Sequence, residues 1–146
     1  MNHLQNRFFG GNINMKFDII IGNPPYQLST NGGQSQAKAI YHKFVQKAKE
    51  LNPRYLVMII PSRWMSSGFG VGKFREDMLD DKHIINLHHY ENASECFPSS
   101  VDIKGGVCYF LRDSKKEDKC NITIHFTNGK TQKSHRYLKH DEIDSD

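Results

Sequence analysis

A short apolar run followed by two prolines constrains the fold of this chain more than any other feature. Residues 17–21 (FDIII) form a short, largely apolar run, which is typical of a strand buried on both faces of a sheet. Shortly after it come Asn23, Pro24 and Pro25, and the prolines fix φ and remove backbone N–H donors. We therefore expect the segment from Asn23 to Tyr26 to form a loop at the end of a buried strand.

The residue types in this loop suit one kind of ligand. The Asn23 side chain offers a carbonyl acceptor and an amide donor, and the prolines leave the backbone mainly with carbonyl acceptors. Tyr26 adds a flat apolar ring. Together they can accept hydrogen bonds from an exocyclic amino group while stacking on the base that carries it. The same residues could be no more than a proline-rich turn, because Asn-Pro commonly begins turns, but the strand directly before them favours the binding interpretation.

Further apolar segments predict an alternation of strands and helices. Helical spacing of apolar residues predicts helices over 37–51 and 73–79, and short apolar runs predict strands over 55–60, 84–87 and 107–111. Strands that alternate with helices imply βαβ units and a parallel sheet. The last two of these strands are joined by a loop without a helix, so we expect that pair to be antiparallel.

Composition narrows the class of protein. The chain has 146 residues, 37% of them hydrophobic, and a net charge of +4, which fits one globular domain and an anionic partner without requiring one. No run is long enough to cross a membrane. The three cysteines match no zinc signature, and their odd number argues against a disulfide framework. We expect a protein of the reducing cytoplasm, with no metal site.

Several motifs, in order along the chain, resemble those of the N6-adenine DNA methyltransferases. FDIIIGNPPYQ is similar to their catalytic strand and loop, and YHKF at 41–44 resembles the Tyr-x-x-Phe pattern of the next helix. YLVMIIPSRWM resembles the following strand with its Pro-x-x-Trp ending. CFP at 96–98, ahead of GGVCYF at 105–110, resembles the later aromatic loop and strand. The likeness covers about residues 15–112 and is greatest to methylase subunits and fused methylase–nuclease chains of bacterial restriction–modification systems.

The resemblance implies catalytic roles for Asn23, Pro24, Pro25 and Tyr26, with DNA as the partner. The Asn23 side-chain carbonyl and the Pro24 backbone carbonyl would accept hydrogen bonds from the adenine amino group. Tyr26 would stack on the base after it is flipped out of the duplex. Phe97 would stack on the opposite face of the base, unless it is only an apolar plug beneath a loop. The methyl group would pass directly from S-adenosyl-L-methionine to the amino nitrogen, with neither a covalent enzyme intermediate nor a metal.

The chain departs from the family's pattern ahead of Asn23. The family carries a Gly-containing cofactor loop upstream of the catalytic motif, with acidic residues for the cofactor's ribose and adenine, whereas only 22 residues precede Asn23 here. The fold class we expect is therefore α/β: the second half of a Rossmann-like methyltransferase sheet, with an antiparallel strand pair near its end. The cofactor-binding residues stay unassigned, and we expect the chain to be inactive alone.

Three segments are expected along the chain. Residues 1–14 are a leader or the remnant of a missing element, residues 15–112 form the catalytic half, and residues 113–146 hold a charged linker, a β-hairpin and an acidic tail. The hairpin is indicated by Asn128 and Gly129, a tight-turn pair that follows alternating apolar residues.

A half-domain of this kind would need a partner. The strand at 17–21 would lie inside a complete sheet, so here it would form an exposed edge, which favours pairing with another chain. We expect self-association, coverage by the N-terminal residues, or a missing N-terminal half or partner subunit. Two other functions stay open: an RNA or protein N-methyltransferase fragment, and a non-catalytic DNA-binding or assembly module.

Other candidate residues have simpler interpretations. His88 and His89 are adjacent on a predicted strand and point to opposite faces, so they do not form one site. Arg63 and Lys73 flank a Gly-rich loop and could contact phosphate, although most such charges are solvated surface. Lys104, close to the predicted aromatic loop, fits an exposed charge.

Overall fold

The computed structural model describes residues 16–28, 38–68, 70–98 and 103–139. Within these ranges six strands form one sheet, and two helices and two short 3-10 turns connect them. The strands are β1 Ile19–Gly22, β2 Tyr55–Pro61, β3 Ile84–Tyr90, β4 Val107–Asp113, β5 Cys120–His125 and β6 Thr131–Arg136. The helices are α1 Tyr41–Glu50 and α2 Gly72–Leu79, and the 3-10 turns are Ser62–Met65 and Ala93–Glu95.

The sheet is mixed, and its order is β1-β2-β4-β3-β5-β6. β1 and β2 are parallel and are joined by α1, because parallel neighbours need a crossover connection. β4 lies between β2 and β3 and is antiparallel to both, whereas β5 is parallel to β3. The α/β class is confirmed, as are the βαβ unit and the antiparallel pair formed by β3 and β4.

The core lies between the two helices and one face of the sheet. Leu56 and Ile60 on β2 are fully buried and alternate with partly exposed residues, as the two-residue period of a strand requires. Trp64, in the turn after β2, is 1% exposed and meets Phe74 of α2 edge to face at 6.1 Å. Each such large apolar side chain contributes about 2 kcal/mol through burial. The core includes Tyr41, Val45, Ala48, Leu56, Met58, Ile60, Trp64, Phe74, Met78, Ile84, Leu87, Cys108, Phe110, Cys120 and Ile122.

The first strand differs from its prediction. β1 begins at Ile19, and the expectation of a strand buried on both faces is wrong, since Ile19 is 56% and Ile21 is 74% exposed. Only Ile20, which faces the helices, packs against the core. Among the described residues β1 pairs with β2 alone, so it is an edge strand, as the sequence predicts. The N-terminal residues 1–15, which were expected to cover it, lie outside the described ranges, and self-association stays a prediction.

The first helix is shorter than predicted, because it begins at Tyr41 rather than at residue 37. Just ahead of the helix, Ala39 forms an isolated antiparallel bridge with Gln27 of the loop after β1. Leu28 N–H donates to the Lys38 carbonyl at 3.0 Å, and Ile40 N–H donates to the Tyr26 carbonyl at 3.1 Å. Apolar spacing cannot reveal this competing pairing.

The segment after β4 extends the same sheet. β5 and β6 are antiparallel around the turn at Asn128 and Gly129, as the tight-turn pair predicts, and β5 joins the sheet through β3. The boundaries proposed at 14/15 and 112/113 stay predictions. In the described part of the chain, no helix is both long enough and apolar enough to span a membrane.

One carboxylate links three parts of this scaffold. Asp81, in the turn between α2 and β3, lies 2.6 Å from the Lys49 ammonium of α1 and 2.9 Å from the Arg112 guanidinium of β4. Burial opposes ionisation of Asp81, but hydrogen bonds and charge attraction from Lys49 and Arg112 outweigh it, so the pKa of this carboxyl is lowered. The ionised side chain therefore stabilises the packing of α1 against the sheet.

Candidate active site at the carboxyl edge of the sheet

The loop at Asn23–Tyr26 lies at the carboxyl edge of the sheet. β1 ends at Gly22 and the parallel β2 ends at Pro61, so the segments that follow them emerge at the same edge, where ligands bind in open α/β sheets. Pro24 is buried, whereas Asn23 and Pro25 are exposed. The hydrogen bonds that tie this loop to the start of α1 fix its position, and the Asn23 side chain is left accessible to a ligand.

Tyr26 is anchored on one side of this loop. Its side chain is partly buried, and its hydroxyl lies 3.5 Å from the Ile59 carbonyl, in a long hydrogen bond. Burial, and then the nearby thiols of Cys108 and Cys96, raise the pKa of Tyr26 to about 12. The phenol therefore stays neutral at ordinary pH and serves as a ring surface with a fixed hydroxyl.

Phe97 faces Tyr26 across the loop. Their ring centroids lie 6.4 Å apart with the planes at 73°, in an edge-to-face contact. The structure thus brings the two proposed stacking residues together, although Phe97 follows Tyr26 by 71 positions. A base inserted between parallel rings needs about 7 Å, which is two van der Waals contacts, so one ring must turn to admit a base.

A cavity of about 390 Å³ opens beside these rings. Its volume falls within the usual range of small-ligand sites. Its lining residues are Asn23, Pro24, Pro25, Tyr26, Gln27, Phe97 and Ile103. The four catalytic candidates therefore lie around one space, with the second aromatic candidate at its wall.

Two of the lining residues were not among the sequence candidates. Gln27 follows the proline-containing loop directly, so its place in the sequence could have indicated it. Ile103 lies more than 70 residues further along, and the turn before β4 brings it to the cavity. No local pattern marks Ile103, because its position depends on how β4 is inserted into the sheet.

A second cavity, of about 300 Å³, adjoins the first and shares Tyr26, Gln27 and Ile103 with it. Arg63 and Lys104 belong to its lining, which places one of the two proposed phosphate-contacting residues at the site. Lys73, the other one, is exposed on α2 and lines neither cavity.

The acidic residues that the resemblance assigns to the cofactor are not found in the linings of these two cavities. None of the residues that line the two cavities is acidic, so no carboxylate is placed there for a ribose. In the described ranges no strand precedes β1, which leads directly to Asn23. The Gly-containing cofactor loop that the resemblance places after an earlier strand is therefore not among the described residues. The described ranges also contain no group of three or more His, Cys, Asp or Glu side chains placed to bind a metal.

The adjacent histidines separate as expected. His88 Nδ1 lies 3.1 Å from His125 Nε2 on one face of the sheet, and the His88 ring stacks on Tyr109 at 4.7 Å. His89 Nδ1 lies 2.7 Å from the hydroxyl of Ser62, on the core side. Burial is the largest cause that lowers the pKa of both histidines. The two histidines therefore pack on opposite faces of the sheet and do not form one site.

Comparisons with known proteins identify chains similar to this one. Residues 1–97 match the model of the Eco57I restriction-modification methylase family. A curated relative, an uncharacterized adenine-specific methylase of Mycoplasma pneumoniae, is 43% identical over 116 residues. The match covers 77% of this chain and 27% of that protein, so the chain spans about a quarter of the relative's length.

Solved structures show the same fold at low sequence identity. The structure of a type I restriction–modification system complex superposes with a TM-score of 0.55 at 17% identity, over 79% of this chain and 24% of that one. A modification subunit of a putative type I restriction enzyme from Vibrio vulnificus gives 0.50 at 12% identity, over 79% and 28%. The type IIG restriction endonuclease BpuSI gives 0.53 at 14% identity, over 75% and 15%. The described sheet is thus similar to part of each of these larger chains.

Proposed function

Because the chain belongs to the Eco57I restriction-modification methylase family, we propose that it carries the base-gripping part of a DNA adenine-N6 methyltransferase from a restriction–modification system. In this reaction the amino nitrogen of an adenine would form a bond to the methyl group of S-adenosylmethionine as the S–CH3 bond breaks, which leaves S-adenosylhomocysteine, and the nitrogen would then lose one proton. The single observation that carries this proposal is the cavity at the carboxyl edge of the sheet, where the loop at Asn23–Tyr26 faces Phe97.

The loop supplies hydrogen-bond acceptors for the adenine amino group. In this proposal the exposed Asn23 side chain and the Pro24 carbonyl accept one amino hydrogen each. The two bonds draw electron density toward the nitrogen and favour a pyramidal geometry, whose lone pair then points away from the ring. Positioning of this kind can account for much of the rate acceleration in a direct displacement. Asn23 is supported for this role by its exposure and by the cavity that it lines.

Tyr26 and Phe97 supply the surfaces that hold an extruded base. The amino group of a paired adenine is not accessible inside the duplex, so the base must leave the stack at a cost of a few kcal/mol. Stacking on an aromatic side chain returns about 1–3 kcal/mol per base. Two rings that line one cavity would therefore compensate most of the cost of extrusion.

The remainder of the active site belongs, in this proposal, to residues outside the described ranges or to a partner subunit. Two observations support it: the cavity linings lack carboxylates, and β1 is an edge strand. We propose DNA and a complementary methyltransferase half as the partners, and the cytoplasm as the compartment. The same two observations favour a second candidate, a DNA-binding or assembly module without catalysis.

Mass spectrometry of DNA separates these two candidates. The intact protein that carries this chain is incubated with unmethylated DNA and a methyl donor, and the DNA is digested to nucleosides. The proposal predicts N6-methyladenine in the digest. Saturable DNA binding without N6-methyladenine would instead support the assembly module, and methylation confined to RNA or protein would exclude the DNA methyltransferase.

A further inference from the structure

The second cavity, next to the proposed base site, is lined by neutral and cationic residues. Its lining comprises Tyr26, Gln27, Ala39, Tyr41, Pro61, Arg63, Ile103 and Lys104. Tyr26, Gln27 and Ile103 separate it from the cavity that holds Asn23. Two of the remaining residues are cationic and none is acidic, so the electrostatic preference of this space is for an anion.

The two cations are positioned by one turn. Arg63 Nε donates a hydrogen bond to the Lys104 carbonyl at 3.1 Å. The same turn is joined to the end of β2, because Ser62 N–H donates to the Gly106 carbonyl at 3.0 Å. Gly105 has a φ of +87°, and a Cβ at that position would lie 3.3 Å from Arg63 Cγ. The Arg63 stem thus packs directly on a glycine turn, which restricts where its guanidinium can lie.

Tyr41 also lines this cavity, although its hydroxyl oxygen is buried away from solvent. The side chain is 2% exposed, and its hydroxyl makes no hydrogen bond of good geometry with the described residues. Burial raises the pKa of Tyr41 to about 12, although the Arg63 charge and the Trp64 backbone act in the opposite direction. The phenol therefore stays neutral at ordinary pH and adds no negative charge beside the two cations.

We propose that this second cavity binds a phosphodiester that flanks the extruded adenine, with Arg63 and Lys104 neutralising its charge. The inference rests on the proposed function for the identity of the neighbouring base. A phosphate esterified to the sugar of the extruded nucleotide must lie close to the cavity that holds the base. The two cavities share one wall, so the second cavity lies at a suitable place. Contacts of this kind fix the register of the strand and carry no sequence information.

Equilibrium binding to a designed duplex tests this assignment without knowledge of the recognised sequence. The duplex carries one adenine opposite an abasic site, because an unpaired base costs least to extrude. One version has a neutral methylphosphonate at a linkage that flanks this adenine, and another has it six linkages away. Affinity of the intact protein is measured by fluorescence anisotropy for the unsubstituted chain and for Arg63→Gln, Lys104→Gln and Lys73→Gln. Lys73→Gln removes an equal charge outside the cavity and is the matched control.

The proposal predicts coupled losses. Arg63→Gln and the flanking methylphosphonate each weaken binding roughly ten-fold, as expected for a hydrogen bond to a charged group, and together they weaken it little more than either alone. Arg63→Gln and Lys104→Gln each make the dependence of log K on log salt shallower by about one unit. Lys73→Gln shows no coupling with the remote or the flanking methylphosphonate, and the two methylphosphonates show none with each other.

Two results would overturn the inference. In the first, the affinity losses caused by Arg63→Gln and by the flanking methylphosphonate multiply independently. In the second, Lys73→Gln shows the same coupling to the flanking methylphosphonate as Arg63→Gln does. Thermal unfolding of each variant identifies a loss that comes from misfolding, and Lys104→Gln, at an exposed side chain, keeps the test valid if Arg63→Gln does not fold. N6-methyladenine formation without coupling would refute only the phosphate subsite. Coupling without N6-methyladenine would refute only the proposed function.

Discussion

Tyr26 and Phe97 meet edge to face, with ring centroids 6.4 Å apart and planes at 73°. In this contact each ring shields the other from solvent, and neither presents a parallel partner for a base. Insertion of a base therefore requires a rotation of Phe97 or a movement of its loop. Because Tyr26 is fixed by its backbone pairing with Ile40, we expect Phe97 to be the ring that moves.

Replacement of Phe97 should weaken capture of the extruded base. Phe97→Ala removes one stacking surface, which is worth about 1–3 kcal/mol, so the extruded population should fall by roughly ten-fold or more. The measurement is the fluorescence of 2-aminopurine in place of the target adenine, which increases when the base leaves the stack. Phe97→Trp keeps an aromatic face and should preserve most of the signal. Equal fluorescence with Phe97→Ala and the unsubstituted protein would refute the stacking role and support the apolar-plug interpretation.

Asp81 should contribute more to stability than its neighbour Asp80. The Asp81 side chain is 8% exposed and pairs with Lys49 and Arg112, so we expect Asp81→Asn to lower the free energy of unfolding by about 2 kcal/mol. Asp80 pairs with Lys139 in an exposed position, with side chains 58% and 62% exposed, so Asp80→Asn should cost less than about 1 kcal/mol. Urea unfolding at pH 7 measures both, and an equal effect of the two substitutions would contradict the account.

The Asp81 contribution should also depend on pH. Its pKa is lowered in the folded chain, so the stabilisation is fully present above the unfolded value near pH 4 and is lost as pH falls through the folded pKa. The difference in unfolding free energy between the unsubstituted chain and Asp81→Asn should therefore shrink on acidification. A difference that stays constant from pH 7 down to pH 2 would show that Asp81 acts through packing alone.

Gly106 should tolerate substitution far less well than Gly129. Both have positive φ, 76° and 80°, so alanine introduces similar backbone strain of about 1 kcal/mol at each. A Cβ at Gly106 would also lie 2.0 Å from the Tyr90 carbonyl oxygen, whereas nothing lies within 4 Å of one at Gly129. We expect Gly106→Ala to lower the melting temperature by at least 5 °C more than Gly129→Ala does. Equal melting temperatures would mean that the turn beside Arg63 shifts at little cost.

The exposed first strand should promote association of the chain. Ile21 is 74% exposed on an edge strand, and such edges pair with other chains. Multi-angle light scattering of the purified chain should show oligomers that Ile21→Lys converts to monomer. Tyr137→Lys, at a 44% exposed position after β6, is the control and should leave association unchanged. A monomer at all concentrations would contradict the edge-pairing expectation.

Local patterns in the sequence predict much of this fold. The tight-turn pair at Asn128 and Gly129 specifies the hairpin, and the two-residue period of a strand separates His88 from His89. These features depend on residues that are close in the chain, so the printed sequence contains the necessary information. The place of Asn23 at a strand end likewise follows from the two prolines next to it.

Features that depend on distant parts of the chain were not predicted. The insertion of β4 between β2 and β3 sets the position of Ile103, and no short pattern encodes strand order. The exposure of Ile19 and Ile21 depends on what covers β1, which an apolar run cannot reveal. The sharing of Tyr26 between two cavities depends on the turn that brings Lys104 beside Arg63. Site residues that belong to a recognisable motif, such as Asn23 and Phe97, could therefore be found from the sequence, whereas Ile103 could not.

The account depends most directly on the Asn23 side chain. The decisive measurement is the rate of radiolabelled methyl transfer to DNA by the intact protein with Asn23→Ala, compared with Gln132→Ala, which truncates an exposed amide on β6 far along the sheet. We expect Asn23→Ala to lower the rate at least about 100-fold, in the range seen when one positioned hydrogen-bonding group is removed from an active site, while Gln132→Ala retains the full rate. Transfer by Asn23→Ala at the rate of Gln132→Ala would contradict the assignment of this loop as the catalytic one.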